Sequence, residues 1–224
     1  EMTRFWSELQ PPTRDELWRG AELLEFRQGD LIEIDFGLMI TGTAAVEYVT
    51  ANGRRSLVEL LRSGDLIDML RHERQQQGRL VALADCALIA MDMAEFERCA
   101  QVHAEIVPAY RRQREDQNGR LRDHINDLAV KTPLERIVSV LFELRRWPGE
   151  HAERAVITAL PILRKDIAAY LGVRPETLSR VLKQLVDTGL ISGAPGKGEI
   201  YLEDDPALRR VAYGEGGLEA MREA

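Results

Sequence analysis

The stretch Arg164-Lys-Asp-Ile-Ala-Ala-Tyr-Leu-Gly-Val-Arg-Pro-Glu-Thr-Leu-Ser-Arg-Val-Leu-Lys183 constrains the fold more than any other part of the chain. Two helices that cross closely need a small residue at the crossing, a glycine in the turn and an apolar residue on the second helix; Ala168, Gly172 and Leu178 stand at those positions. Ile167, Leu171, Val173 and Leu182 fill the remaining inward positions. Pro175 has no amide hydrogen to leave unsatisfied, so it suits the first position of the second helix, with Arg174 an unusual cap before it. The spacing predicts a helix-turn-helix.

Its second helix presents Glu176, Thr177, Ser179, Arg180 and Lys183 on the polar side. Arginine holds guanine O6 and N7 with two bonds, a carboxylate accepts from cytosine N4, and a small hydroxyl meets thymine or phosphate. Each good base contact is worth about 1–3 kcal/mol of discrimination. Double-stranded DNA is therefore the expected partner, met by these five side chains at bases and phosphates, with Arg164 and Arg174 as further phosphate contacts. Leu190 to Leu202 reads as two short strands around a glycine-rich tip, a wing that brings Lys197 near phosphate. A net charge of -7 excludes coating nucleic acid by bulk charge, so contact needs a local basic patch. Between Arg164 and Lys197 six basic residues (Arg164, Lys165, Arg174, Arg180, Lys183, Lys197) face three acids (Asp166, Glu176, Asp187).

The other half of the chain reads differently. From about Ala21 to Met93 short alternating runs are predicted as strands over 22–26, 30–34, 38–41, 44–50, 56–61, 80–83 and 87–92, separated by turn signals such as Asn52-Gly53. Arg27-Gln-Gly-Asp30 is echoed at Arg62-Ser-Gly-Asp65, which suits a rolled sheet. A long helix follows from about Glu105 to Ala129, in which Val107, Arg111, Arg114, Asn118, Leu121, Ile125 and Leu128 recur in steps of three and four. That seam is read as a homodimer contact through Val107, Asn118, Leu121, Ile125 and Leu128, the alternative being an amphipathic helix packed on its own domain. Thr132 as cap and Pro133 at the first helical position begin a further helix, and Asp204-Asp205 before Pro206 begins the last one. The expected organisation is a β-roll over 1–104, a dimerisation helix and hinge over 105–131, and a winged helix-turn-helix over 132–224, an α+β fold.

No apolar run is long enough to span a membrane, and Glu1 to Trp18 has neither the basic flank nor the apolar core of a signal peptide, so a cytoplasmic location is expected. Cys86 and Cys99 form no paired spacing; Cys86 reads as core and Cys99 as a thiol whose redox role stays open. No Ser/His/Asp order, metal-ligand spacing or phosphate loop is visible, so neither catalysis nor a metal site is expected.

From Ala21 to Val211 the order of elements, and above all Asp166 to Leu182, resembles the Crp/Fnr superfamily of bacterial transcriptional regulators. Glu176, Ser179 and Arg180 match the Glu-x-x-Ser-Arg recognition helix of its anaerobic regulators, and Pro175 stands where the cyclic-AMP receptor type carries arginine. The resemblance implies a cyclic-nucleotide-binding-like jelly-roll sensor and a homodimer on an inverted repeat with TTGA half-sites. Arg180 would read guanine, Glu176 the cytosine opposite and Ser179 thymine, with RNA polymerase as a further partner. Asp68-Met69-Leu70 replaces the family's Gly-Glu-Leu turn, and Arg79-Leu80 stands near its Arg-Ser/Thr pair, so cyclic nucleotide is not expected as ligand. Arg71, Arg74 and Arg79 read as a solvated run before they read as an anion cradle. The iron–sulfur members need an N-terminal cysteine cluster, and Glu1 to Asp85 holds no cysteine. No cofactor is expected; haem on His72, His103 or Cys86, or a small-molecule effector, is the alternative. A ligand-binding or protein-interaction module that keeps the fold without binding DNA is the competing reading of the whole chain.

Overall fold

The computed structural model describes residues 4–69, 78–144, 156–157, 164–193 and 200–215. Eight strands form two four-stranded antiparallel sheets: β1 (Ala21–Phe26), β2 (Leu31–Ile32), β3 (Phe36–Thr41), β4 (Thr43–Val49), β5 (Arg55–Arg62), β6 (Leu66–Asp68), β7 (Arg79–Ala82) and β8 (Cys86–Met91). The sheet orders are β1-β8-β3-β6 and β2-β7-β4-β5. Seven of these strands follow the expected runs; β6, too short to show alternation, falls where the repeated Arg-x-Gly-Asp-Leu-Ile echo places a second turn and strand.

The two-residue period of a strand decides the layering. Met39, Ile67 and Leu88 of the first sheet meet Val46, Leu61 and Leu80 of the second in one cluster. The alternate residues Phe36, Leu38 and Ile89 point to the other face and are covered by helices. Those helices are α1 (Arg4–Ser7), α2 (Pro11–Arg19), α3 (Met93–Val102) and the start of α4 (Ile106–Val130). They contribute Phe5, Leu17, Phe96 and Ile106, each worth about 1.5–3 kcal/mol when fully buried. No element was expected before Ala21, and α1 and α2 are short helices whose order depends on this packing.

The repeated Arg-x-Gly-Asp turn is realised twice in the same geometry. Asp30 Oδ2 accepts from the Arg27 amide at 2.8 Å and Asp65 Oδ2 from the Arg62 amide at 2.9 Å, with Gly29 and Gly64 at φ +97° and +96°. The strands that follow, β2 and β6, each form the edge of a different sheet.

α4 matches the expected long helix, but its buried face is not apolar. Ile106 and Ala109 are buried, and so are Gln113, Gln117 and His124. The Gln117 amide pairs with Leu66 as a strand would, accepting from its N–H and donating to its C=O at 3.0 Å each. Arg120 bonds Asp65 at 2.5 Å and Tyr110 donates to Asp68 at 2.8 Å. Of the expected seam, Val107 (40% exposed), Asn118 and Ile125 (56%) lie open, while Leu121 and Leu128 are half-buried.

Beyond α4 come α5 (Pro133–Leu144), β9 (Val156–Ile157), α6 (Arg164–Leu171), α7 (Pro175–Asp187), β10 (Ile191–Gly193), β11 (Ile200–Leu202) and α8 (Asp205–Ala212). Thr132 caps α5 as expected, within a reciprocal box: the Glu135 carboxylate accepts from the Thr132 amide at 2.8 Å and Thr132 Oγ1 from the Glu135 amide at 3.4 Å. Asp204 caps α8 by accepting from the Ala207 amide at 2.8 Å. By internal contacts the chain separates into two compact units, Glu1–Asp123 and His124–Ala224, and the division falls inside α4.

Candidate nucleic-acid interface

α6 ends because Gly172 takes φ +61°, a left-handed conformation that costs a side-chain-bearing residue strain. The Val173 amide then returns to the Ala168 carbonyl at 3.0 Å, closing the helix with a Schellman bond. Two residues later α7 begins, with Arg174 extended at φ -77°, ψ 146° and Pro175 in the first turn. No side chain caps this end, and the first helical bond runs from the Leu178 amide to the Arg174 carbonyl at 3.1 Å.

α7 is divided lengthwise. Leu178, Val181, Leu182 and Leu185 are buried, and Ile167, Ala168 and Leu171 of α6 are buried as well. Burial of that stripe leaves Glu176, Arg180 and Lys183 exposed on the outer side, with Thr177 and Ser179 half-buried beside them. Arg174 and Lys165 are exposed nearby. Arg164, at the start of α6, donates from Nη1 to Ser179 Oγ at 3.3 Å, so a residue expected at phosphate also orients one expected at a base. This contact between residues fifteen positions apart was not readable from spacing. Glu176 and Arg180 lie one helical turn apart, and with Lys183 the arrangement offers one acceptor and two cationic donors on the exposed side of the helix.

The wing strands pair as expected: Ile191 faces Leu202 and Gly193 faces Ile200, and β9 joins β11 to make three antiparallel strands. Lys197 at the tip lies outside the described residues, as does His72. α7 hands over to β10 through Gly189 at φ +73°, and the Leu190 amide bonds the Leu185 carbonyl at 3.1 Å.

The residues weighed for other chemistry are committed elsewhere. His103 meets Thr13 Oγ1 through Nδ1 at 3.1 Å and Glu16 through Nε2 at 2.7 Å, so both ring nitrogens have protein partners. Cys86 and Cys99 are buried free thiols, and burial pushes both up from the usual thiol range, away from the reactive thiolate. Among the described residues no group of three or more His, Cys, Asp or Glu side chains is placed to hold a metal ion. Arg79, one of the three arginines expected to be a solvated run, is tied to the buried Glu47 at 2.5 Å, and Arg55 bonds the same carboxylate; Arg71 and Arg74 lie outside the described residues. Among the described residues no helix is long and apolar enough to cross a membrane.

Comparison with known proteins agrees with this geometry. Residues 135–211 match the Crp-like helix-turn-helix domain. The chain is 29% identical over 175 residues to the nitrogen fixation regulation protein FixK of Azorhizobium caulinodans, covering 78% of this chain and 70% of that one. It is 26% identical over 171 residues to Vfr, a cAMP-activated global transcriptional regulator of Pseudomonas aeruginosa, covering 73% and 78%. In fold it is similar to FixK2 from Bradyrhizobium japonicum, with a TM-score of 0.72 over 85% of this chain and 96% of that one at 24% identity. Residues 135–211 thus form a Crp-like helix-turn-helix domain, and over about three quarters of its length the chain is similar to regulators of both the FixK and the cAMP-activated kinds.

Proposed function

We propose that the chain is a sequence-specific, DNA-binding transcriptional regulator that acts as a homodimer on a palindromic TTGA-type operator. The observation that carries this reading is the outer side of α7, where Glu176 and Arg180 stand exposed one turn apart on a helix whose other side is anchored by Leu178, Val181, Leu182 and Leu185. Arg180 reads guanine, Glu176 the opposite cytosine and Ser179 thymine, while Arg164, Arg174, Thr177, Lys183 and Lys197 serve phosphates. Val107, Asn118 and Ile125, exposed along α4, supply the self-contact together with Leu121 and Leu128, setting two reading heads about 34 Å apart. RNA polymerase is the further partner, and the cytoplasm the compartment in which such a protein works.

The sensor responds to an effector other than cyclic nucleotide or has lost effector control. The tie between Arg79 and Glu47 supports this, since an arginine whose guanidinium is already engaged by a buried carboxylate must give up that bond to turn its donors to a phosphate. An enzymatic reading has less support. Thr13, His103 and Glu16 do form a hydroxyl–imidazole–carboxylate line, but Thr13 is 1% exposed and its hydroxyl donates to Glu105 at 2.5 Å, so this line joins helices.

The test is an anisotropy titration of the protein against a TTGA palindrome and a scrambled duplex at stated salt, with Arg180→Ala alongside. Selective binding that Arg180→Ala weakens about 10- to 100-fold establishes the reading. Equal affinity for both duplexes, unchanged by the substitution, refutes it.

A further inference from the structure

We propose that Arg136 is a positioning residue for DNA reading. It fastens the last two turns of α4 to the helix-turn-helix, so that His124 to Lys131 and the reading head move as one piece. The inference rests on the regulator reading above. Arg136 Nε donates to the Lys131 carbonyl at 2.9 Å, and its Nη1 donates to the Leu171 carbonyl at 3.0 Å. Both acceptors lie at helix ends, Lys131 directly after α4 and Leu171 as the last residue of α6. Carbonyls of a last helical turn have no partner within their own helix, and the negative end of the helix dipole favours a cation there. A guanidinium is a rigid planar fork whose separate nitrogens reach two such acceptors along fixed directions; an ammonium offers its donors from a single atom and cannot span the same two carbonyls in that geometry.

Two further contacts join the same pieces. The rings of His124 and Tyr170 stack with centroids 3.7 Å apart and planes 3° from parallel, and both residues are buried. Leu128 Cδ2 and Arg136 Nη1 lie 3.8 and 3.7 Å from the point where a side chain on Gly172 would begin, so both rest on the turn before the recognition helix. Between α4 and α5, Lys131 Nζ donates to Asp127 Oδ2 and to Ser139 Oγ at 2.8 Å each. The connection over residues 126–133 is thus braced from several directions. A motion that re-aims the reading head leaves it intact.

The consequence is read in the operator. If the head is fastened to the end of the dimerisation helix, the protein discriminates sharply between half-site spacings; if Arg136 is lost, it keeps its preferred bases but tolerates wrong spacings. Palindromes with the best spacer and with one or two added base pairs are titrated by anisotropy for wild type, Arg136→Gln and Arg136→Lys. Loss of a charged hydrogen-bond donor predicts at least about a tenfold weaker complex on the best spacer for Arg136→Gln, a flattened spacer profile, and an unchanged penalty for replacing the half-site guanine. Arg136→Lys, which reaches one carbonyl, falls between the two. In parallel, spin labels on the exposed positions Asn126 and Gln184, in labelled chain diluted with unlabelled chain, report the fastening without DNA. A narrow distance distribution in wild type broadens in Arg136→Gln. Wild-type spacer preference in Arg136→Gln, or an unchanged distance distribution, overturns the proposal. If the wild type binds no duplex selectively, the regulator reading fails, and the label distances alone decide whether Arg136 fastens α4 to α6.

Discussion

Replacing Gly172 by alanine is expected to destabilise the DNA-reading unit by a small, definable amount. Gly172 sits at φ +61°, where an L side chain costs about 1–2 kcal/mol. The nearest atoms to an added Cβ are Arg136 Nη1 at 3.7 Å and Leu128 Cδ2 at 3.8 Å, ordinary van der Waals contact, so no steric cost is added. Gly42 provides the contrast. Its φ is +81°, and an added Cβ there would lie 2.3 Å from the Asp85 carbonyl oxygen and 2.6 Å from Cys86 Cα, so backbone must move. Backbone strain and overpacking together give about 2–5 kcal/mol for Gly42→Ala. Native-state hydrogen exchange reads the two units separately, through the Leu182 and Leu185 amides of α7 and the Ala45 and Val46 amides of β4. For Gly172→Ala a loss of 1–2 kcal/mol corresponds to exchange about 5–30 times faster in α7, with β4 unchanged. Exchange in α7 within about twofold of wild type, or a larger effect from Gly172→Ala than from Gly42→Ala, would refute this account of the turn.

Three other outcomes are expected. Burial holds the His124 imidazole below its ordinary value of 6.5, so the unfolded chain binds the proton more readily; the stability owed to neutral His124 is complete above that value and is lost as pH falls below it. Urea midpoints followed from pH 8 to pH 5 should therefore fall less in His124→Phe, which keeps a ring against Tyr170 but has nothing to titrate; identical slopes would sink the assignment. Thr132→Ala removes one half of the α5 capping box and should cost about 1 kcal/mol, measured as a shift in the urea midpoint. Cys86 and Cys99, buried with raised thiol pKa values, should react with a thiol reagent only after denaturant is added, and rapid labelling of the native protein would contradict that burial.

The readable parts of this chain are those whose chemistry is local. A glycine free to take positive φ at 172, a proline without an N–H at 175, and Thr132 ahead of Pro133 each act within a few residues, so the helix-turn-helix and its neighbours follow from the sequence alone. The 3.6-residue period then puts Leu178, Val181, Leu182 and Leu185 inward and leaves Glu176 and Arg180 outside, which made the candidate reading face legible as well. Alternation likewise marked seven of the eight strands of the two sheets. What periodicity could not reveal was the buried face of α4, because its inward residues include Gln113, Gln117 and His124, and a pattern that equates apolar with buried assigns them outside. Gln117 is buried because Leu66, fifty-one positions earlier, presents a backbone N–H and C=O to it. Nothing in local spacing marks Arg136; the fold brings the carbonyl of Leu171, thirty-five positions later, within 3.0 Å of it. Sequence determined the helix-turn-helix, the long helix, the alternating strands and the face that α7 turns outward, since those follow from backbone conformation and period; only the tertiary structure decided the short helices before Ala21 and which distant polar groups satisfy one another, since a buried polar group is stable only where the rest of the chain supplies its partner.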